Sequence, residues 1–390
     1  MTDIVLPLKG LIVLEFCQYL SGPSAGLRLA DLGARVIKIE HPEKGEAGRK
    51  LSIKNLWVGS DSLLFHTINR NKESFTADLK NAEELQIVKQ LITKADVLIH
   101  NFRPGVMEKI GLDYSTVKQI NPSLIYAEIS GYGKAGAWQS KPGQDLLLQS
   151  ITGLAYASGD QGDAPVPCGV SIGDNLCGAQ LVQGILAALI RRQKTGQGAL
   201  VETSLMESLL DFQFELLTTY FASKQQPVRS KVSNANPLLS APYGVYATQD
   251  GYIAIAMMNL AQLATAIDCH VLNNYSQNDA FAKRDEIKEV IAQHIAGNVS
   301  SHWLEKLHAA GLWSMEIMDW QQLSTHEGYL CLEIEQTINV PGADITTTRC
   351  PIKIDGNRIY SGTPAPLLGE HNQKIHEEIL REHAFTQPKL

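Results

Sequence analysis

No run of 18 or more apolar residues occurs in this sequence, so nothing in it is long enough to cross a bilayer as a helix. The first residues lack the basic and apolar regions of a secretory signal, and the chain is expected to be cytoplasmic. Its six cysteines, Cys17, Cys168, Cys177, Cys269, Cys331 and Cys350, contain no C-x-x-C pair. Neither a disulfide framework nor a metal site is expected from them, and buried free thiols are the simplest reading. Basic charge is not in excess: 34 Lys and Arg stand against 41 Asp and Glu, a net charge of -7. Nucleic acid and anionic membrane are therefore not expected as partners, although a local group of bases would still serve a phosphorylated small ligand.

What is present describes an ordinary globular protein. The 390 residues are 44% hydrophobic and 19% charged, enough chain and core for two domains. Strand-like and helix-like segments alternate through the first 200 residues. Residues 11–16, 35–40, 96–100 and 124–129 read as strands, and 24–32, 82–93 and 114–120 as helices. That rhythm predicts an α/β fold, a doubly wound parallel sheet. Residues 201–222 read as one long helix leading away, followed by strand-like runs at 243–247 and 252–256, helices at 259–270, 280–295 and 301–310, and β-rich sequence at 333–360. The expected organisation is a large Rossmann-like domain from residues 1–200 and 321–390, a linker helix at 201–225, and a smaller α+β domain at 226–320.

A βαβ rhythm alone suggests a dinucleotide-dependent oxidoreductase. Its phosphate-binding turn is missing, however, because the first strand leads into Leu20-Ser21-Gly22-Pro23 with no triple glycine. The one G-x-G-x-x-G match, Gly131 to Gly136, follows a later strand and opens no apolar helix. Basic residues near the predicted strand ends (Lys38, His41, Arg70, Lys72, Lys80, Arg103 and Lys109) suit a phosphate-rich ligand or simply a solvated surface. Asp174 is the most informative position. It stands where a Gly- and Pro-rich loop gives way to an apolar helix running to residue 190, and is either an N-cap or a reactive carboxylate on a rigid base. Cys168 and Cys177 flank it without a neighbouring His to activate a thiol.

Several segments occur together in an order that resembles the class III coenzyme A transferases, the family of the formyl-CoA and carnitine-type enzymes. They are residues 8–15, Gly22-Pro23, residues 32–40, residues 69–74, the stretch 95–105 ending in Asn101-Phe102-Arg103-Pro104-Gly105, Gly131 to Gly133, Gly173-Asp174, residues 184–189, Thr195 to Gly198, and Gly369 to His371. The resemblance implies two protomers interlocked as a homodimer, with an acyl-CoA and a small carboxylic acid as substrates. No cofactor is bound permanently; the coenzyme A thioester is itself the substrate. Asp174 matches the acyl-carrying aspartate, and the helix start behind it is expected to help keep it ionised. Asn101, Phe102 and Arg103 match the nucleotide-binding segment, with Lys109 just beyond. Lys80 falls in another contact segment, and His41 takes a place where a larger base can occur. Gln144 and Asp145 lie in the loop that approaches the thioester end.

Because of two departures, the resemblance does not extend to formyl-CoA and oxalate specificity. Leu20 replaces a glutamine near the active carboxylate, and residues 234–243 occupy the region of a missing glycine-rich lid. The α-methylacyl-CoA racemases share the resemblance and provide the alternative activity. They require a His directly before the Asp of a Gly-His-Asp loop and a supporting Glu. Here Gly143-Gln144-Asp145 and Asn259 stand instead, and an amide cannot shuttle a proton at neutral pH.

Overall fold

The computed structural model describes residues 6–340 and 342–380. The N-terminal residues used in the signal reading, and the last ten of the expected large domain, lie outside them. Two compact units emerge. The first comprises residues 1–148, 171–209 and 332–390, and the second residues 149–170 and 210–331.

The first unit is built on six parallel strands: β1 (Ile12–Phe16), β2 (Arg35–Glu40), β3 (Glu73–Thr76), β4 (Val97–His100), β5 (Ile125–Ser130) and β6 (Ala199–Ser204), in the spatial order β3-β2-β1-β4-β5-β6. The order reverses between β1 and β4, the switch point at which open α/β sheets receive ligands. β-Branched and apolar runs explain these strands, because both faces are covered. α2 (Leu63–Asn69) precedes β3 and α4 (Val106–Ile110) follows β4. One sheet face, carrying Leu14, Phe16, Ile37, Leu98 and Tyr126, packs against α3 (Ala82–Lys94), α5 (Tyr114–Ile120) and the chain end at Ile375 and Ile379. The other face holds α1 (Ser21–Asp31) and α7 (Ile172–Thr195), which pack on one another. Residues 332–380 return to this unit, where Asn372 Oδ1 accepts from the Thr76 N–H at 2.9 Å.

The segment expected as one helix over 201–222 is three elements. β6 completes the sheet, α8 (Leu205–Phe212) follows directly, and α9 (Phe214–Ser223) begins after Gln213. Register explains the strand: Ala127 pairs with Val201 and Glu128 with Glu202, so the residues read as a helix start are the last ladder of the sheet. The first helix begins at Ser21, three residues before the position expected from its apolar pattern. Gly131 to Gly136 lies in a loop and opens no helix.

In the second unit, β7 (Gly244–Ala247), β8 (Tyr252–Ile255) and β9 (Ser314–Glu316) form an antiparallel sheet. Its core (Tyr246, Ile253, Ile255, Ile287, Ile291, Trp303 and Leu307) is shared with α10 (Leu260–Ala266), α11 (Arg284–Ile295) and α12 (Ser300–Ala309). Residues 149–170 group with this unit, whereas the sequence reading put them in the large domain. Among the described residues, no helix is long and apolar enough to cross a membrane.

Candidate active site

Asp174 lies in the first turn of α7, not at its N-cap. The N-cap residue, Ser171, makes no side-chain cap bond. Asp145, from the start of α6 (Asp145–Ile151), does that work: its Oδ1 accepts from the Gly173 N–H at 2.7 Å and the Asp174 N–H at 3.2 Å. A helix start leaves such N–H groups without intrahelical partners, and a carboxylate is a strong acceptor for them. The cap reading of Asp174 therefore passes to Asp145, and the Asp174 side chain is free of that duty.

Two helix starts converge on Asp174, its own and that of α1. The approach is close because of Gly178, where a Cβ would collide with Ser24 Oγ and come within 2.7 Å of the Ser21 carbonyl oxygen. Ser21, buried at the first position of α1, brings its hydroxyl beside the Asp174 carboxylate. Burial is the main cause that raises the Asp174 pKa to about 6, the Asp145 charge adds to it, and the Ser21 hydroxyl works in the opposite sense. The sequence led us to expect a carboxylate kept ionised by the helix start; here desolvation and a like charge outweigh that effect. A pKa near 6 still leaves roughly nine-tenths of Asp174 ionised at neutral pH. Cys177, one turn along α7, is buried, and burial raises its pKa above the ordinary thiol value, which disfavours a thiolate.

Three of the seven bases expected near the strand ends are neither surface nor ligand groups. Lys38 and Lys72 are buried and share the Glu15 carboxylate at 2.7 and 2.8 Å. Burial alone would lower the Lys38 pKa, but Glu15, Glu46 and Glu40 carry it above the ordinary value. Arg70 is buried against Asp31, 3.3 Å away. Glu40, at the end of β2, is held through both its oxygens by Arg49 at 2.7 Å. A Lys within the apolar run of residues 35–40 gives no sign of an acid on the neighbouring strand, so pattern reading missed this network.

The other expected contacts are separate. Lys80, Arg103 and Lys109 are exposed, and His41 is half-buried, accepting at Nδ1 from the Glu43 N–H at 3.2 Å. Phe102 leans on the core and stacks on His100, with ring centroids 6.2 Å apart. The Asn101 carboxamide is engaged by the backbone of Gln18. Gln144 is exposed at the end of the loop that leads into α6. Ser21 was not anticipated; the Ser-Gly-Pro run after the turn that follows β1 is a helix-start signal that would have marked it.

Two further positions bear on proton transfer and on a lid. Asn259 caps α10, accepting from Ala261 N–H at 2.9 Å and Gln262 N–H at 3.2 Å. The segment in place of a glycine-rich lid is tied down within its own unit. Asn234 N–H donates to Asp160 at 2.8 Å, Lys288 donates to the Ser233 carbonyl at 2.9 Å, and Arg284 donates to the Pro237 carbonyl at 2.8 Å. Among the described residues, no group of three or more His, Cys, Asp or Glu side chains is placed to hold a metal ion.

The sequence profile of CoA-transferase family III matches residues 8–372. The chain belongs to that family. Among similar family III proteins is the human succinyl-CoA:glutarate CoA-transferase, 29% identical over 97% of this chain and 87% of its own length. The acetyl-CoA:oxalate CoA-transferase of Acetobacter aceti is 31% identical over 96% of each chain. A crystal structure of a CAIB/BAIF family protein from Brucella suis superposes with a TM-score of 0.82 at 30% identity, covering 96% of this chain and 99% of that one. Family III enzymes are CoA-transferases and use CoA thioesters as substrates, which accounts for a doubly wound sheet without a dinucleotide turn.

Proposed function

We propose that this family III enzyme moves coenzyme A from an acyl-CoA donor to a free carboxylic acid through covalent intermediates on Asp174. The observation that carries the reading is a half-buried carboxylate, set near a second acid and raised to about pKa 6, at the meeting of two helix starts. Acylation replaces that disfavoured anion with a neutral group, so both burial and the Asp145 charge favour the acylated form over the free carboxylate.

The chemistry balances without a metal or ATP. An Asp174 oxygen attacks the thioester carbonyl, the C–S bond breaks, and CoA thiolate leaves a mixed anhydride. The thiolate then attacks the Asp174 carbonyl carbon and expels the donor acid as its carboxylate, leaving an aspartyl-CoA thioester. The acceptor carboxylate attacks the same carbon and releases the thiolate, which finally attacks the acceptor's carbonyl and restores the Asp174 carboxylate. No net proton is exchanged, and one thioester is traded for another.

His41, Lys80, Phe102, Arg103, Lys109 and Gln144 belong to this proposal as contacts of coenzyme A, Arg103 and the lysines through exposed charge. The acceptor proposed is a short dicarboxylic acid, supported by the glutarate in the names of two relatives. An interlocked homodimer is part of the same reading and is checked by sedimentation. The decisive test screens acyl-CoA donors against mono- and dicarboxylic acids by mass spectrometry, with hydroxylamine added to trap the intermediate. A hydroxamate on Asp174 together with CoA exchange is expected. Label on Cys168 or Cys177, or no exchange with any pair, sinks the proposal.

A further inference from the structure

The turn joining β1 to α1 has few backbone bonds of its own and is held by side chains from elsewhere. The Cys17 carbonyl accepts from Lys38 Nζ at 3.0 Å, the Tyr19 N–H donates to Glu46 Oε2 at 3.0 Å, and the Pro23 carbonyl accepts from Lys72 Nζ at 2.8 Å. Between them, Asn101 grips Gln18 twice. Its Oδ1 accepts from the Gln18 N–H at 2.8 Å, and its Nδ2 donates to the Gln18 carbonyl at 2.7 Å. Tyr19 sits at φ 66, a conformation that a residue with a Cβ keeps only where its surroundings enforce it. Gly22 is required at the same place, because a Cβ there would collide with Cys17 and lie 3.4 Å from Asn101 Cγ. The residue delivered by this turn is Ser21, the hydroxyl partner of Asp174.

Asn101 starts the loop after β4, on the far side of the switch point from Gln18. The geometry points to Asn101 as a positioning residue: it bridges the β1 and β4 loops and fixes the turn that sets Ser21 against Asp174, and its carboxamide is not a contact of coenzyme A. Within the Asn101-Phe102-Arg103 segment, ligand recognition then falls to the exposed Arg103 and the edge of Phe102. This rests on the CoA-transferase reading above and keeps Asn101 out of its ligand contacts.

The test compares wild type with Asn101→Ala and Asn101→Asp, after thermal melting has shown which variants fold. If the alanine variant does not fold, the aspartate variant carries the experiment, since it keeps an acceptor for the Gln18 N–H. Loosening the turn should lower kcat on the order of 10- to 100-fold and slow hydroxylamine trapping at Asp174 in proportion. KM for the acyl-CoA should stay within about threefold of wild type, as no ligand contact is lost. A carboxylate touching the CoA phosphates would instead raise KM steeply, and a rise above about tenfold in either variant overturns the inference. Amide hydrogen exchange over residues 17–23 supplies a readout that needs no turnover. Faster exchange in the variants supports the clamp, and unchanged exchange overturns it. A wild type without CoA exchange would count against the proposed reaction, while the exchange data would still decide the clamp.

Discussion

Asp145 Oδ1 lies 3.2 Å from the backbone nitrogen of Asp174, so one acid caps the helix turn that presents the other. The cap brings a like charge close to the Asp174 carboxylate, and each effect can be measured on its own.

Asp145→Asn keeps an oxygen acceptor for the helix start but removes the charge. Burial is the larger cause of the raised Asp174 pKa and remains, so only part of the shift should be lost. The acid limb of kcat/KM, expected near pH 6 in wild type, should move to lower pH. An acid limb that stays in place would show that Asp145 has no electrostatic hold on Asp174. Asp145→Ala should in addition cost about 1 kcal/mol of stability through the lost cap, read from denaturant melts.

Asp174→Asn should stabilise the fold while abolishing CoA exchange. A carboxyl whose folded pKa is raised, here from 3.8 to about 6, binds its proton more tightly when folded. Ionisation therefore penalises the native state above pH 6, and the penalty disappears as pH falls through 6 towards 3.8. The variant should gain about 1–3 kcal/mol at pH 7.5, and less at pH 4.5. Urea denaturation at the two pH values checks the sign.

Gly178→Ala should force α7 away from α1, since the added methyl meets Ser24 Oγ and the Ser21 carbonyl. A loss of about 1–3 kcal/mol is expected from such overpacking, with a fall in kcat from the displaced Ser21. An unchanged melting temperature would mean that the two helices can separate freely at this point.

Arg49→Met leaves the buried acids Glu40 and Asp61 without the guanidinium they share at 2.7 Å. Breaking a buried pair on one side costs about 3–5 kcal/mol, and the effect should appear as lost stability or loss of folded protein. Because Glu40 is held below the ordinary carboxylate range by Arg49 and Lys38 against the cost of its burial, wild type should also lose stability as pH falls into the acid range.

Four of the six strands of the parallel sheet were legible because each is a short apolar run bounded by turn residues, as in residues 35–40 and 97–100, whereas β3, with Phe75 as its one large apolar side chain, was not read as a strand. β6 was misread for a related reason. Residues 199–204 include Glu202 and Thr203 at the sheet edge and run straight into the apolar α8, so no break marked the change of period. The position of Asp174 at a helix start was legible, since glycine and proline give way to an apolar pattern. Its surroundings were not: Asp145 acts from 29 residues away, and Ser21 comes from another helix. Burial of Lys38 and Lys72 was also hidden, because a lysine looks the same in a sequence whether it faces water or an acid on the adjoining strand.

The bond between Asp145 and the Gly173 N–H also joins two places where the chain crosses between units, since residues 149–170 lie in between and belong to the second. The excursion leaves and returns at nearly the same spot, so its two ends are already tied whatever its length. Loop-closure entropy grows only with the logarithm of length, and residues could be added to or exchanged within the excursion at small thermodynamic cost. The helix start that presents Asp174 is thereby held by a contact within its own unit, and the excursion can change in length without loosening it.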